Sequence, residues 1–322
     1  MGSIPKIPLG SMGKSIPVVS YGTGDYPFGA NPQFTKESIL HAIEVGYRHF
    51  DTSSVYQSEQ PLGEAISEAI NLGLIESRAQ LFITSKLWCC DTHHDRVLPA
   101  LHKSLQTLNL TYIDLYLIHW PLSMKSPEYE FPPINKDFLP MDFKSVWEAM
   151  EECQTLGLTK CIGVSNFSIK KLETLLATAK IPPVANQVEM NPGWQQKKLR
   201  DFCEQKGILI IAYSTLGSTG AFWGSNRVME SELLKKIAKA KGKSVAQICL
   251  RWAYEQGVIV ITKSRNKERM KENISIFDWK LSPEECLKIS DEIPQQRVLR
   301  GLEFVSEEGP FKSLEELWDG DI

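Results

Sequence analysis

The chain of 322 residues is 42% hydrophobic and 23% charged, enough apolar material for a large core. Its 36 basic and 39 acidic residues leave a net charge of -3, which excludes the basic footprint of a nucleic-acid binder or of a protein drawn to anionic lipid. Seven scattered cysteines, an odd number, are expected as reduced thiols without disulfides.

The opening MGSIPKIPLGSMGK lacks the apolar stretch of a signal peptide, and Lys6 stands where a myristoylation signal requires Ser or Thr. The longest apolar runs are strand-sized, so a cytoplasmic chain without a membrane span is expected. Two short extended pieces, 6–9 and 15–19, joined by Gly-Ser-Met-Gly, predict a hairpin. VVSYGTG then forms a strand closing at Gly22 and Thr23. A helix follows over 35–45, with Ile39, Ala42 and Ile43 on one face, Thr35 as N-cap and Gly46 as C-cap residue.

From here a unit repeats. The stretch YRHFDTSSVY ends its apolar run abruptly in Asp51, and a buried carboxylate at a strand end is costly unless it is paired. Other apolar runs are closed in the same way by a polar residue: LFITSK by Lys86, DLYLIH by His119, CIGVSN by Asn166, PVANQ by Gln187, GILIIAYS by Ser214, and VIVITKS by Lys263 with Ser264. Between them, helical patterns are predicted over 60–72, 97–108, 143–156, 169–179, 196–206, 230–241 and 267–274. Counting the strand at Tyr21, that makes eight strand–helix units.

Eight such units predict an α/β fold of the (β/α)8 TIM barrel type, one domain over 1–322 with an amino-terminal hairpin. Functional groups are then expected at the carboxyl ends of the strands, where the polar residues fall. A doubly wound dinucleotide fold is disfavoured, since no G-x-G-x-x-G is present. Three stretches, 121–141, 215–227 and 295–322, break the repeat and are expected as long loops shaping a pocket at that face. Cys89-Cys90 with His93-His94 lacks the spacing of a metal site, and no metal is expected. A metal-dependent barrel hydrolase would need several His and Asp at strand ends, and only His119 clearly ends one.

The segments GYRHFDTSSVYQSE, LFITSKLW, DLYLIHWP, GVSNFS, NQVEMNP, AYSTLGS and TKSRNKERMKEN together resemble the aldo-keto reductases, from about residue 7 to the carboxyl end. MEECQTLGLT, GKSVAQICLRW and GPFKSLEELWDG resemble the plant branch that includes chalcone reductase and codeinone reductase. The resemblance implies an NADPH-dependent carbonyl reductase with a catalytic tetrad of Asp51, Tyr56, Lys86 and His119. A tyrosine of ordinary pKa about 10 is a poor proton donor and a poor base near neutrality. Lys86 is therefore expected to lower the pKa of Tyr56, Asp51 to keep Lys86 charged, and His119 to orient the substrate oxygen.

The resemblance also implies a cofactor site. Gly22 and Thr23 belong to it. Ser165, Asn166 and Gln187 would hold the nicotinamide carboxamide, Tyr213 would stack on the ring, and Ser214, Leu216 and Ser218 would line the pyrophosphate. Lys263, Ser264 and Arg269 would take the 2'-phosphate, with Asn273 at the adenine. Trp88, Trp120, Phe222 and Trp223, with Phe304 near them, would make an aromatic pocket for a flat or polycyclic ketone. TSSVY, in place of the branch's more usual TAAAY, adds bulk and hydroxyls beside Tyr56. The substrate is expected to be a bulky plant specialised metabolite such as a polyketide or alkaloid ketone, and the protein a monomer with a small-molecule partner. A broad-specificity aldehyde-detoxifying reductase is one alternative. A non-catalytic NADPH-binding protein is another, and retention of all four tetrad residues argues against it.

Overall fold

The apolar runs fold as predicted into parallel strands of a closed barrel in the computed structural model, which describes residues 4–10, 14–126, 137–218 and 224–322. An antiparallel hairpin, β1 (Lys6–Leu9) and β2 (Lys14–Pro17), precedes it. The barrel begins with β3 (Val19–Gly22), β4 (His49–Asp51), β5 (Phe82–Leu87) and β6 (Ile113–Ile118). A two-residue antiparallel pair, β7 (Ser123–Met124) and β8 (Phe138–Leu139), flanks the 127–136 stretch. The barrel then resumes with β9 (Thr159–Ser165), β10 (Ala185–Glu189), β11 (Leu209–Tyr213) and β12 (Ile259–Thr262), which closes it by pairing with β3.

Side chains alternate across a strand, and that period of two builds both layers of the core. Phe82, Leu115, Leu117, Cys161, Ala185, Ile211 and Ile259 fill the barrel interior. Leu9 and Ile16 of the hairpin, both wholly buried, pack against them. The alternate positions Phe50, Ile83, Tyr116, Ile118, Ile162, Val164, Val188, Ala212 and Val260 pack in the layer shared with the helices. Each fully buried Leu, Ile or Phe stabilises by about 1.5–3 kcal/mol. Crowding inside requires Gly163, since a Cβ there would lie 2.7 Å from the Ala185 carbonyl oxygen and 2.8 Å from a Leu117 methyl.

Continued in steps of two to the carboxyl ends, the inward positions are Asp51, Lys86, His119, Ser165, Gln187, Tyr213 and Lys263. One apolar alternation therefore both fills the barrel and delivers these polar side chains to a common rim.

The helices around the barrel are α1 (Pro32–Val45), α2 (Glu59–Asn71), α3 (His94–Leu108), α4 (Phe143–Thr155), α5 (Ile169–Leu176), α6 (Lys197–Gln205), α7 (Glu232–Lys241), α8 (Val245–Glu255) and α9 (Lys267–Ile274), followed by α10 (Pro283–Glu292) and α11 (Leu314–Trp318). Helix α1 starts earlier than predicted: Asn31, not Thr35, is the N-cap, its Oδ1 accepting from the Phe34 N–H at 3.1 Å, with Pro32 at the first turn. Helices α8, α10 and α11 were not among the predicted elements, and α11 falls within the 295–322 stretch expected as a loop. None of the helices among the described residues is long and apolar enough to cross a membrane.

The tail beyond Gln295 has little periodicity but is firmly placed. Glu189, wholly buried at the end of β10, accepts from the backbone N–H groups of Val298 (2.9 Å) and Leu299 (2.8 Å). The Arg297 guanidinium lies 3.6 Å from the Trp318 ring centroid and 4.7 Å from that of Trp194. Asp319 then pairs with Lys171 and accepts from the Ser168 hydroxyl at 2.5 Å, joining the tail to α5.

Candidate active site

Asp51 and Lys86 end adjacent strands and meet in a buried ion pair, Lys86 Nζ to Asp51 Oδ1 at 2.6 Å, with the lysine side chain 0% and the aspartate 5% exposed. Such a pair persists only if its remaining valences are met. Lys86 Nζ also donates to the Thr52 carbonyl at 2.8 Å, and Gln187 Nε2 donates to Asp51 Oδ2 at 2.7 Å. Burial pulls Lys86 below the ordinary lysine value, and the Asp51 charge opposes that pull.

Tyr56 follows Asp51 through a short turn over Ser54–Tyr56 and stands above this pair, with Lys86 Nζ 4.8 Å from its ring centroid. The Tyr56 hydroxyl lies 3.3 Å from His119 Nε2, and His119 Nδ1 is 3.0 Å from the Ser53 hydroxyl. Which ring nitrogen of His119 carries the proton depends on the tautomer. Burial first, and then the Lys86 charge, hold His119 well below the usual histidine value, so the ring is neutral at physiological pH. The four side chains expected as a tetrad are thus together at the rim.

One expectation about them is corrected. Lys86 was expected to lower the Tyr56 pKa, but burial, reinforced by the Asp51 charge, pushes it up. The Lys86 charge is largely committed to Asp51, and at ring distance it does not offset desolvation of the phenol.

Around the rim, Asn166 at φ 63° donates to the His119 carbonyl at 3.0 Å and accepts from the Tyr213 hydroxyl at 2.7 Å. The Ser165 hydroxyl donates to the Gln187 carbonyl at 2.8 Å. These amides and the hydroxyl form a contiguous polar arc beside the half-buried Tyr213 ring. After Tyr213 the chain turns through Ser214 (φ 53°), Leu216, Gly217 (φ 77°) and Ser218 (φ 57°), with the two serine hydroxyls 2.5 Å apart. Within this turn the Gly217 N–H donates to the Ser214 carbonyl at 2.9 Å. Lys263 lies just past the end of β12, so polar amides, this turn and a cation follow one another around the rim.

Other expected cofactor residues are placed with more specific duties. Gly22 leaves no room for a side chain, since a Cβ would lie 2.9 Å from an Ile261 methyl. The buried Thr23 hydroxyl is 2.7 Å from that of Ser58 and 3.1 Å from the Asp51 carbonyl, bracing the strand end that carries Asp51. Ser264 accepts from the Tyr21 hydroxyl through its carbonyl at 2.9 Å, Arg269 is exposed on the first turn of α9, and Asn273 is buried on the same helix. Lys263 Nζ lies 2.7 Å from Asp25 Oδ1. Neither Asp25 nor Arg265, which pairs with the same carboxylate, was anticipated from sequence.

Trp88 and Trp120, expected as pocket walls, are only 1% and 4% exposed. The tail covers them: Phe304 stacks on Trp120 with centroids 4.1 Å apart, and Trp318 lies 5.7 Å from it. The Trp88 and His119 rings meet in a T-shaped contact with centroids 5.1 Å apart. Phe222 and Trp223 fall outside the described residues, as do parts of the 121–141 and 215–227 loops. His93 Nε2 lies 2.8 Å from the Met124 carbonyl, and Cys89 and Cys90 are buried thiols.

Comparison with known proteins identifies the family. Residues 19–293 match the model of the aldo/keto reductase family. The chain is 63% identical, over 99% of its length and 98% of that protein, to the 7-acetyl-epi-neemfruitin B aldo-keto reductase of Melia azedarach. It is 61% identical, over 99% of both chains, to the (1S)-1,7-diacetoxy-luvungin A aldo-keto reductase of Citrus sinensis. Deoxymugineic acid synthase 1 of Zea mays is 56% identical over 94% of this chain and 96% of its own. Among solved structures, a Bombyx mori aldo-keto reductase in complex with NADP superposes with a TM-score of 0.83 at 38% identity, over 93% of this chain and 96% of that one. The barrel, its rim of strand-end side chains and these similarities together place the chain in the aldo/keto reductase family, as an oxidoreductase that uses NADP(H).

Proposed function

We propose that the chain reduces the carbonyl group of a bulky plant specialised metabolite to an alcohol with NADPH, Tyr56 giving the proton. The observation that carries this reading is the Tyr56 hydroxyl 3.3 Å from neutral His119 Nε2, directly above the buried Lys86–Asp51 pair. NADPH, when bound, supplies the hydride. A carbonyl oxygen within hydrogen-bond reach of both Tyr56 Oη and His119 Nε2 gains electron density as it is reduced, and a preorganised donor stabilises that charge. Tyr56 donates its proton there, and the Lys86 ammonium stabilises the tyrosinate left behind. Asp51 holds Lys86, and Gln187 holds Asp51. Ser165, Asn166, Gln187 and Tyr213 are assigned to the nicotinamide end, the Ser214–Ser218 turn to the pyrophosphate, and Lys263 to the 2'-phosphate.

The directions of the two pKa shifts give a pH profile. An acid whose pKa is raised stays protonated further into the alkaline range, and a histidine whose pKa is lowered does not charge near neutrality. The specificity constant for reduction is therefore expected to stay flat between about pH 6 and about pH 9. Alcohol oxidation, which needs the deprotonated phenol, should rise with pH over the same span. Initial rates in both directions across constant-ionic-strength buffers check this. A break in reduction near the ordinary histidine value would show that His119 titrates.

Two named relatives, for 7-acetyl-epi-neemfruitin B and (1S)-1,7-diacetoxy-luvungin A, support the substrate class, as does the aromatic cluster the tail builds over the rim. The test is a panel of purified bulky ketones and small aldehydes assayed with NADPH, with products identified. Efficient turnover of small aldehydes alone would favour the aldehyde-detoxifying reading, and no turnover at all a binding role. Phe304→Leu, which trims the tail's contact with Trp120, should shift the ratio of specificity constants, bulky ketone over small aldehyde, by about tenfold. A parallel fall in both constants would show that the tail acts through folding or cofactor closure.

A further inference from the structure

We propose that Asp25 is an internal counter-anion at the phosphate end of the cofactor site, holding Lys263 and Arg265 until a 2'-phosphate displaces it, and so setting how strongly NADPH is held over NADH. The proposal rests on the assignment of Lys263 to the 2'-phosphate. Strands β3 and β12 are neighbours, with Tyr21 opposite Thr262, so the loops leaving their carboxyl ends lie side by side. Asp25 lies three residues past the end of β3, and Lys263 is the first residue past the end of β12. Lys263 Nζ donates to Asp25 Oδ1 at 2.7 Å and to the Gly24 carbonyl at 2.8 Å. The Arg265 guanidinium pairs with Asp25 Oδ2 and lies 4.9 Å from the Phe34 ring centroid. One carboxylate thus engages both cations nearest the end of β12, within a groove that Tyr21, Thr35 and Ser38 also line.

The arrangement is displaceable. Side-chain exposure is 40% for Lys263, 53% for Arg265 and 29% for Asp25, and ion pairs that solvent reaches are weak. A phosphate monoester carries about −1.5 to −2 charges and three acceptor oxygens against the single charge of a carboxylate, so it outcompetes Asp25 for the same donors. The 2'-hydroxyl of NADH brings no such charge and leaves the internal pairs in place. Asp25 therefore acts only against the phosphorylated cofactor, by occupying its donors and by repelling it.

The full-length protein is titrated with NADPH, with NADH, and with adenosine 2'-monophosphate and adenosine as minimal probes, by cofactor fluorescence or calorimetry at low salt. Wild type is compared with Asp25→Asn, Lys263→Ala, Arg265→Ala, and Asp25→Asn on the double-alanine background. Asp25→Asn should tighten NADPH and adenosine 2'-monophosphate by about three- to tenfold and change NADH less than about twofold, and the gain should vanish where both cations are gone. If Lys263→Ala selectively weakens NADPH while Asp25→Asn leaves it unchanged or weaker, the counter-anion role is overturned and the phosphate assignment stands. Equal tightening of NADPH and NADH by Asp25→Asn also overturns it. If neither alanine variant changes the ratio of NADPH to NADH affinity, the phosphate assignment fails and the proposal with it.

Discussion

Replacing Tyr56 by Phe is expected to lower the specificity constant for carbonyl reduction by roughly 10²- to 10⁴-fold, the range contributed by a positioned proton donor. The ring remains, with its packing against Phe28 at 5.1 Å and its place above Lys86 at 4.8 Å, so neither fold nor cofactor affinity has reason to change. NADPH fluorescence titration should give a near-normal dissociation constant, and the melting temperature should stay close to wild type. The loss should appear mainly in kcat, because the hydroxyl acts when charge develops on the substrate oxygen. Turnover within about tenfold of wild type would transfer the role of acid to another group, His119 being the nearest.

Lys86→Met is expected to remove activity and also to destabilise the protein by about 3–5 kcal/mol, because it strands the Asp51 carboxylate in a site where that carboxylate is only 5% exposed. Gln187 still donates to Asp51 Oδ2, but one neutral amide does not replace a cation. Adding Asp51→Asn removes the stranded charge, so the double variant should regain much of the lost stability without regaining turnover. Denaturant midpoints for the two singles and the double check the stability, and single-turnover reduction checks the chemistry. If Lys86→Met alone is as stable as wild type, the carboxylate has been rehydrated and the rim is wetter than the packing around Lys86 indicates.

The family resemblance supplied the tetrad, and a period of two explains why three of its members share one face, since it maps directly onto which face a strand residue occupies. Asp51, Lys86 and His119 inherit the inward face from His49, Phe82 with Thr84, and Leu115 with Leu117. What the chain spacing does not carry is distance. The net Tyr56 pKa moves up and not down because residue types reveal neither a 2.6 Å bond between Lys86 and Asp51 nor the desolvation of the phenol. Asp25 was missed for a related reason: its partner Lys263 is 238 residues away, joined only because the barrel closes between β3 and β12.

Two missed helices did carry a signal. Ser244 with Gln247 and Ser282 with Glu285 form reciprocal capping boxes at the starts of α8 and α10, and Pro283 opens the latter. The pattern S-x-x-[EQ] stands in the sequence at both places. The tail, expected as a loop, carries α11, and its placement depends on Glu189, a second inward polar residue on β10 beyond Gln187.

The pairing that shuts the barrel also dictates when the molecule can become safe during its own synthesis. Residues of β4, β5 and β6 leave the ribosome early, so the Lys86–Asp51 pair can form on a half-made sheet. Strands β3 and β11 remain as open edges until Ile259–Thr262 has emerged to join both of them. An open edge of apolar strand is a template for pairing with another chain. Nascent chains halted before Ile259 are therefore the aggregation-prone species of this protein, and chaperone binding to stalled ribosomes should fall once Thr262 has cleared the exit tunnel.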